Sequence, residues 1–182
     1  MPNFIPADRF SAPTYIVLDL PQPVCAEVLE MRQRFDRYQA GLPPEITVAG
    51  SSGVGTVAQG PDPLTVFSAI EAVARRHRPF TCSFESMRRF PGVPVFWLCP
   101  RDRAPFDALH RALLESGIKF DASPFPFNPH CTISSTVELS KHQEAELLAS
   151  PVPQMEFLLD ELRVYQVAGG QARLLQSFRL GR

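Results

Sequence analysis

Apolar residues recur along this chain with two different periods, and the switches between them mark out short strands and amphipathic helices. Thr14 to Leu20 is an apolar run bounded by Pro13 and Pro21, too short for a helix and suited to a buried strand. Val24, Val28, Met31 and Phe35 then fall on one stripe at helical spacing, which leaves Glu27, Glu30 and Arg34 turned to water. Glu45 to Ala49 reads as a second strand, and a helix near Leu64 to His77 follows, striped by Val66, Ile70 and Val73. From Phe80 to Phe90 the period shortens to two, Pro91-Gly92 turns the chain, and Val93 to Cys99 completes a hairpin. Pro105 suits the first turn of a helix carrying Phe106, Leu109 and Leu113, which Gly117 ends. His130 to Thr136 is the next strand, and Ser140 with Gln143 forms a capping box that opens a short helix. Phe157 to Val167 and Arg173 to Leu180 read as two long strands turning at Gly169-Gly170.

The order is strand, helix, strand, helix, hairpin, then helix, strand, helix, hairpin. That is an α+β chain with a weak internal repeat, expected as antiparallel sheets with flanking helices in two similar lobes. With 182 residues and 45% hydrophobic content, the whole of 1–182 is expected to form a single domain of two intertwined lobes around a shared core.

Composition narrows the partners. The formal net charge is -1, so no global basic field holds a long duplex, and any nucleic-acid contact must be local. No apolar run approaches the ~20 residues of a membrane helix. Met1-Pro2-Asn3-Phe4 lacks the basic start of a signal peptide, so a soluble cytoplasmic protein without a membrane partner is expected. Cys25, Cys82, Cys99 and Cys131 form no C-x-x-C pair and no regular spacing with the histidines, so the residues point to no metal and to cysteines packed as small hydrophobes. The 19 prolines stand singly between periodic segments and punctuate the fold.

Two segments share one pattern: Pro44-Glu45-Ile46-Thr47-Val48 and Pro129-His130-Cys131-Thr132-Ile133. In a strand, alternate residues share a face, so Glu45 goes with Thr47 and His130 with Thr132. A proton-transferring group beside a hydroxyl, presented twice, is the layout of a two-sided site for a small anion. Gly50 to Gly55 lacks the Lys-Ser/Thr of a phosphate-binding loop and reads as a flexible lip beside the first motif. His77, His110 and His142 sit in helices or a cap with no chemical partner in view, and Arg75 to Arg78 and Arg88-Arg89 read as solvated surface. Phe90, Phe96, Trp97, Phe125 and Phe127 are core residues by default. Phe127, three residues before His130, is the candidate for stacking on a nucleobase.

The paired motifs resemble those of the 2H phosphoesterases, which include the 2′-5′ RNA ligase and 2′,3′-cyclic phosphodiesterase families and carry His-x-Thr/Ser-x twice. His130-Cys131-Thr132-Ile133, preceded by Phe127-Asn128-Pro129, matches the second copy, and Glu45-Ile46-Thr47-Val48 matches the first except that Glu stands for His. The order of elements is similar from the Tyr15 strand to the Phe178 strand. The resemblance implies a bilobal, pseudo-symmetric fold with a central cleft and a nucleotide or RNA end carrying a 2′,3′-cyclic phosphate or 2′-5′ phosphodiester. It also implies Glu45 and His130 as the acid/base pair, Thr47 and Thr132 as phosphate donors, and no cofactor or metal. Glu45 leaves three readings open. It could act as the base while His130 is the acid, or burial could keep it protonated as the acid with His130 as the base. Catalysis could instead be lost, leaving a nucleotide- or RNA-binding cleft or one adapted to another small ligand.

Overall fold

The computed structural model describes residues 10–181, so the leader reading of Met1 to Phe4 lies outside the described residues. In chain order the elements are β1 (Thr14–Asp19), α1 (Val24–Phe35), α2 (Arg37–Ala40), β2 (Glu45–Ala49), α3 (Pro63–Arg76), β3 (Phe80–Cys82) and β4 (Phe84–Arg89). They continue with β5 (Phe96–Pro100), α4 (Ala104–Leu114), β6 (Cys131–Ser134), α5 (Lys141–Ala149), β7 (Phe157–Leu159), β8 (Glu161–Ala168) and β9 (Gln171–Arg179). This is the α+β architecture the periodicities predict.

The strands form a four-stranded antiparallel sheet in the order β2-β1-β8-β9, a three-stranded sheet β4-β5-β6 and a β3-β7 pair. Each motif strand therefore lies at an edge, β2 outside β1 and β6 outside β5. The core-facing rows are Ile16 and Leu18 on β1, Ile46 and Val48 on β2, Leu162 and Val164 on β8, and Cys131 and Ile133 on β6, all fully buried. These rows belong to one continuous apolar cluster with Val28 of α1, Ile70 of α3 and Leu109 of α4.

The helices start and stop on local chemistry. The Asp62 side chain accepts from the Thr65 amide at the start of α3, and Ser140 and Gln143 cap α5 reciprocally, as the sequence predicts. Two predicted strands differ. The Phe80 to Phe90 run divides at Ser83, β3 pairing with β7 and β4 with β5, and the Phe157 to Val167 run divides at Asp160. Alternation specifies which side chains turn inward, but not which neighbour takes the backbone hydrogen bonds.

The glycine-rich segment after β2 is tied down. Gly53 N–H donates to the Phe125 carbonyl at 2.8 Å, Asp121 N–H to Thr56 at 2.8 Å and Ala58 N–H to Lys119 at 2.9 Å. Phe125 is 65% exposed, so it is not the core residue its type suggests. Among the described residues no helix is long and apolar enough to cross a membrane.

Candidate functional site

With Ile46 and Val48 turned into the core, Glu45 and Thr47 share the opposite face of β2. The Thr47 hydroxyl lies 3.0 Å and 2.9 Å from the two Glu45 carboxylate oxygens. Glu45 is partly buried, and the loss of hydration pushes its pKa up to about 7, against the Thr47 hydrogen bond and the positive charge of Arg32. The Asp19 carboxylate adds to the rise, and its residue is the register partner of Glu45 on β1.

Asp19 belongs to a polar row across the same face. Its Oδ2 receives Arg163 Nη1 at 2.6 Å and the Tyr165 hydroxyl at 2.7 Å, while Arg163 Nε donates to Glu161 at 2.8 Å. Burial raises the pKa of Asp19 and carries the Tyr165 phenol up to about 12.

On the other sheet, His130 sits immediately before β6, and Thr132 is two residues on. His130 Nδ1 lies 2.6 Å from the Asn128 carbonyl. A carbonyl only accepts, so Nδ1 carries the proton and Nε2 is left with the lone pair. The ring meets Phe90 and Trp97 edge-on, with centroids 5.2 Å and 5.6 Å away. This enclosure disfavours the imidazolium and lowers the pKa of His130 below its usual 6.5, despite the Asn128 hydrogen bond.

The two motif strands pack against one another. Between them lies Arg32, only 2% exposed, with Nε and Nη2 on the Thr132 carbonyl at 2.9 Å and 2.7 Å. Its Nη1 reaches the carbonyls of Gln39 and Leu42 at 3.0 Å and 2.9 Å. One guanidinium thus joins α1, the exit of α2 and the second motif, and its charge acts on Glu45 of the first. Cys131 Sγ lies 3.9 Å from Arg32 Nη2, and burial pushes the thiol up to about 11. Asp36 performs the adjoining task, accepting from Tyr38 N–H and Gln39 N–H at the start of α2 and from Ser135 N–H, Thr136 N–H and the Thr136 hydroxyl beyond β6. Burial alone would raise the Asp36 pKa, but these donors hold it below the usual carboxylate value.

Glu45 and Thr47 are thus brought together on one strand and His130 and Thr132 on its packing neighbour, while the Glu45 carboxyl is hydrogen-bonded to Thr47 and the His130 ring to Asn128. Phe127 stacks on His110 at 3.9 Å with the rings 3° from parallel, so His110 covers one of its faces. His110 does have a partner after all, for its Nδ1 lies 2.8 Å from the Val48 carbonyl and fastens α4 to the first motif strand. Arg32 and Asp19 escape a motif-based reading, although Arg32 falls on the same stripe as Val24 and Val28. Among the described residues no group of three or more His, Cys, Asp or Glu side chains is placed to hold a metal ion.

The sequence model of the 2′-5′ RNA ligase superfamily matches residues 20–171. No curated protein sequence matches the chain significantly. The fold is similar to that of E. coli LigT in its apo form, at TM-score 0.60 and 19% identity over 94% of this chain and 98% of LigT. TT0787 of Thermus thermophilus aligns at TM-score 0.66 and 17% identity, covering 93% of this chain and 99% of that one. Kluyveromyces marxianus Usb1 aligns at TM-score 0.52 and 9% identity, with 89% and 96% covered.

Proposed function

Since the chain belongs to the 2′-5′ RNA ligase superfamily, we propose that its paired motifs hydrolyse a 2′,3′-cyclic phosphate or 2′-5′ phosphodiester on a nucleotide or RNA end, with Glu45 as general acid and His130 as general base. The observation that carries this reading is the partial burial of Glu45 beside Thr47, which raises its pKa to about 7 and leaves much of the carboxyl protonated near neutrality. A neutral carboxylic acid has a proton to give and does not repel a phosphate. His130 supplies the complement: Nδ1 is held by Asn128, and a depressed pKa leaves Nε2 free to accept a proton.

In the reaction, water attacks phosphorus as His130 Nε2 takes its proton. The P–O bond to the ribose oxygen breaks, and Glu45 protonates that oxygen. The two groups exchange protons with solvent before the next turnover. The Thr47 and Thr132 hydroxyls donate to the non-bridging oxygens as negative charge builds. That LigT has been solved with 3′-AMP and with phosphate supports a nucleotide-sized anion as ligand.

Purified protein is to be assayed on 2′,3′-cyclic mononucleotides. We expect turnover in the wild type, a loss of about 10²- to 10⁴-fold in Glu45→Gln, and activity retained in Glu45→His. Absence of turnover in both wild type and Glu45→His removes the catalytic reading. The contact of the Thr47 hydroxyl with both Glu45 oxygens favours a second reading, in which the cleft binds a nucleotide phosphate without turning it over. Calorimetric titration of the wild type, His130→Ala and Thr132→Ala tests it, since unchanged affinity in both variants excludes a site at the second motif.

A further inference from the structure

Trp97 and Thr132 are register partners on β5 and β6, and Arg88 of β4 is the partner of Trp97 on its other side. Directly opposed residues of antiparallel strands share a face, so the Trp97 side chain stands on the same side of the sheet as the Thr132 hydroxyl. The indole is 6% exposed, stacked on Phe90 at 4.9 Å and set edgewise to His130 at 5.6 Å. Its Nε1–H has no hydrogen-bond partner. The side-chain amide nitrogen of Asn128, the residue whose carbonyl holds His130, is also buried without a partner.

Buried donors are nearly always satisfied, because stripping their hydration without a replacement is unfavourable. Two such donors therefore belong to the residues whose ring and backbone carbonyl touch the imidazole of the second motif. The guanidinium groups around them are committed elsewhere. Arg88 is paired with Glu85 at 2.8 Å, Arg89 with Glu144 at 3.6 Å, and Arg103 with Asp107 at 2.8 Å. The Arg88 guanidinium also lies over the Trp97 ring, 5.8 Å from its centroid, so an anion arriving beside His130 meets neutral N–H and O–H groups with an already paired cation behind them.

We propose that the Trp97 indole N–H and the Asn128 side-chain amide, together with the Thr132 hydroxyl, bind a non-bridging oxygen of the phosphoryl group that sits at His130. The proposal rests on the phosphodiesterase reading for the identity of its ligand, but it concerns binding and is tested separately. Both nitrogens are covered before the ligand arrives, so its entry has to shift the neighbouring side chains; once uncovered, the neutral donors are held in place by packing as charge develops on that oxygen, which is what an oxyanion site requires.

Trp97 is the chain's one tryptophan, so its emission reports this position alone. The wild type is titrated with adenosine 2′-monophosphate by fluorescence and, in parallel, by calorimetry. We expect a saturable change in emission that follows the calorimetric isotherm. Trp97→Phe keeps an aromatic ring and removes the N–H; it should weaken binding by about 10-fold or more, and Asn128→Ala should weaken it similarly. Both variants are first checked by circular dichroism, and if Trp97→Phe does not fold, the wild-type emission and Asn128→Ala decide.

Emission unchanged at calorimetric saturation, no binding of the nucleotide, or undiminished affinity in the folded variants overturns the proposal. A wild type that binds with these signatures but turns nothing over keeps the donor site and loses the catalytic reading. Turnover on cyclic nucleotides with Trp97→Phe and Asn128→Ala unaffected does the reverse.

Discussion

A carboxylic acid packed inside protein holds its proton more tightly than one in water, and Glu45 and His130 are displaced in opposite directions by the same cause. Activity needs Glu45 protonated and His130 neutral. It should therefore rise as pH passes the depressed His130 pKa, below 6.5, and fall above about 7 as Glu45 ionises. The pH profile of kcat/KM on a cyclic nucleotide checks this, and an optimum above pH 8 contradicts it. Stability follows from the same group. A carboxyl whose folded pKa is raised favours folding less as pH climbs from its unfolded value near 4.5 to about 7, beyond which the loss is complete. Glu45→Gln removes that loss. Relative to its own value at pH 5, the variant should gain up to about 3 kcal/mol over the wild type at pH 8, read from urea unfolding. Arg32 acts differently, because its three carbonyl acceptors match a planar fork and not a single ammonium. Arg32→Lys should cost about 2 kcal/mol and Arg32→Ala more, by the same measurement.

Helices declare themselves locally, and strands only in part. The stripe of α3 and the capping box of α5 were legible because each depends on residues within a few positions of one another. The partition of the strands at Ser83 and Asp160 was not legible, since pairing is decided by distant segments. The site divides in the same way. Glu45, Thr47, His130 and Thr132 announce their positions by repetition, whereas Arg32 matters through a contact 100 residues away, and Asp19 through register. The glycine-rich segment reads as a flexible lip because composition does not show what it touches. At Gly55 φ is +93° and an added Cβ would fall 1.5 Å from the Asp121 carbonyl oxygen. Gly55→Ala should detach this segment from residues 119–125 and cost at least about 2 kcal/mol, seen as a lower melting temperature. A variant that melts with the wild type would show the stitching to be dispensable.

Across the whole molecule, charge is balanced and dispersed. With a net charge of -1, the exposed Arg88, Arg89 and Arg103 paired to carboxylates and Arg32 buried among carbonyls, little long-range field gathers an anionic ligand. Binding of adenosine 2′-monophosphate should accordingly weaken by less than about threefold between low and moderate salt, a shallow slope for a phosphate ligand. A steep dependence in a fluorescence titration would point to an unpaired cation at the site. The sheets add another whole-molecule constraint, because β1 and β2 from the start of the chain share a sheet with β8 and β9 from its end. The sheet that carries the first motif strand is consequently completed only when the last segments of the chain have joined β1 from its other side.

Both motif strands lie at sheet borders, and a bare border invites another chain to pair with it. On β6 and its exit, side chains already occupy the backbone: Arg32 takes the Thr132 carbonyl, and Asp36 takes the amides of Ser135 and Thr136. A border whose backbone groups are taken by Arg32 and Asp36 offers little template for strand addition, so the residues that hold the second motif in place should also guard this edge against pairing with another chain. Opening that guard, as Asp36→Ala would, should make intermolecular β-pairing on mild heating the first failure, ahead of loss of the helices.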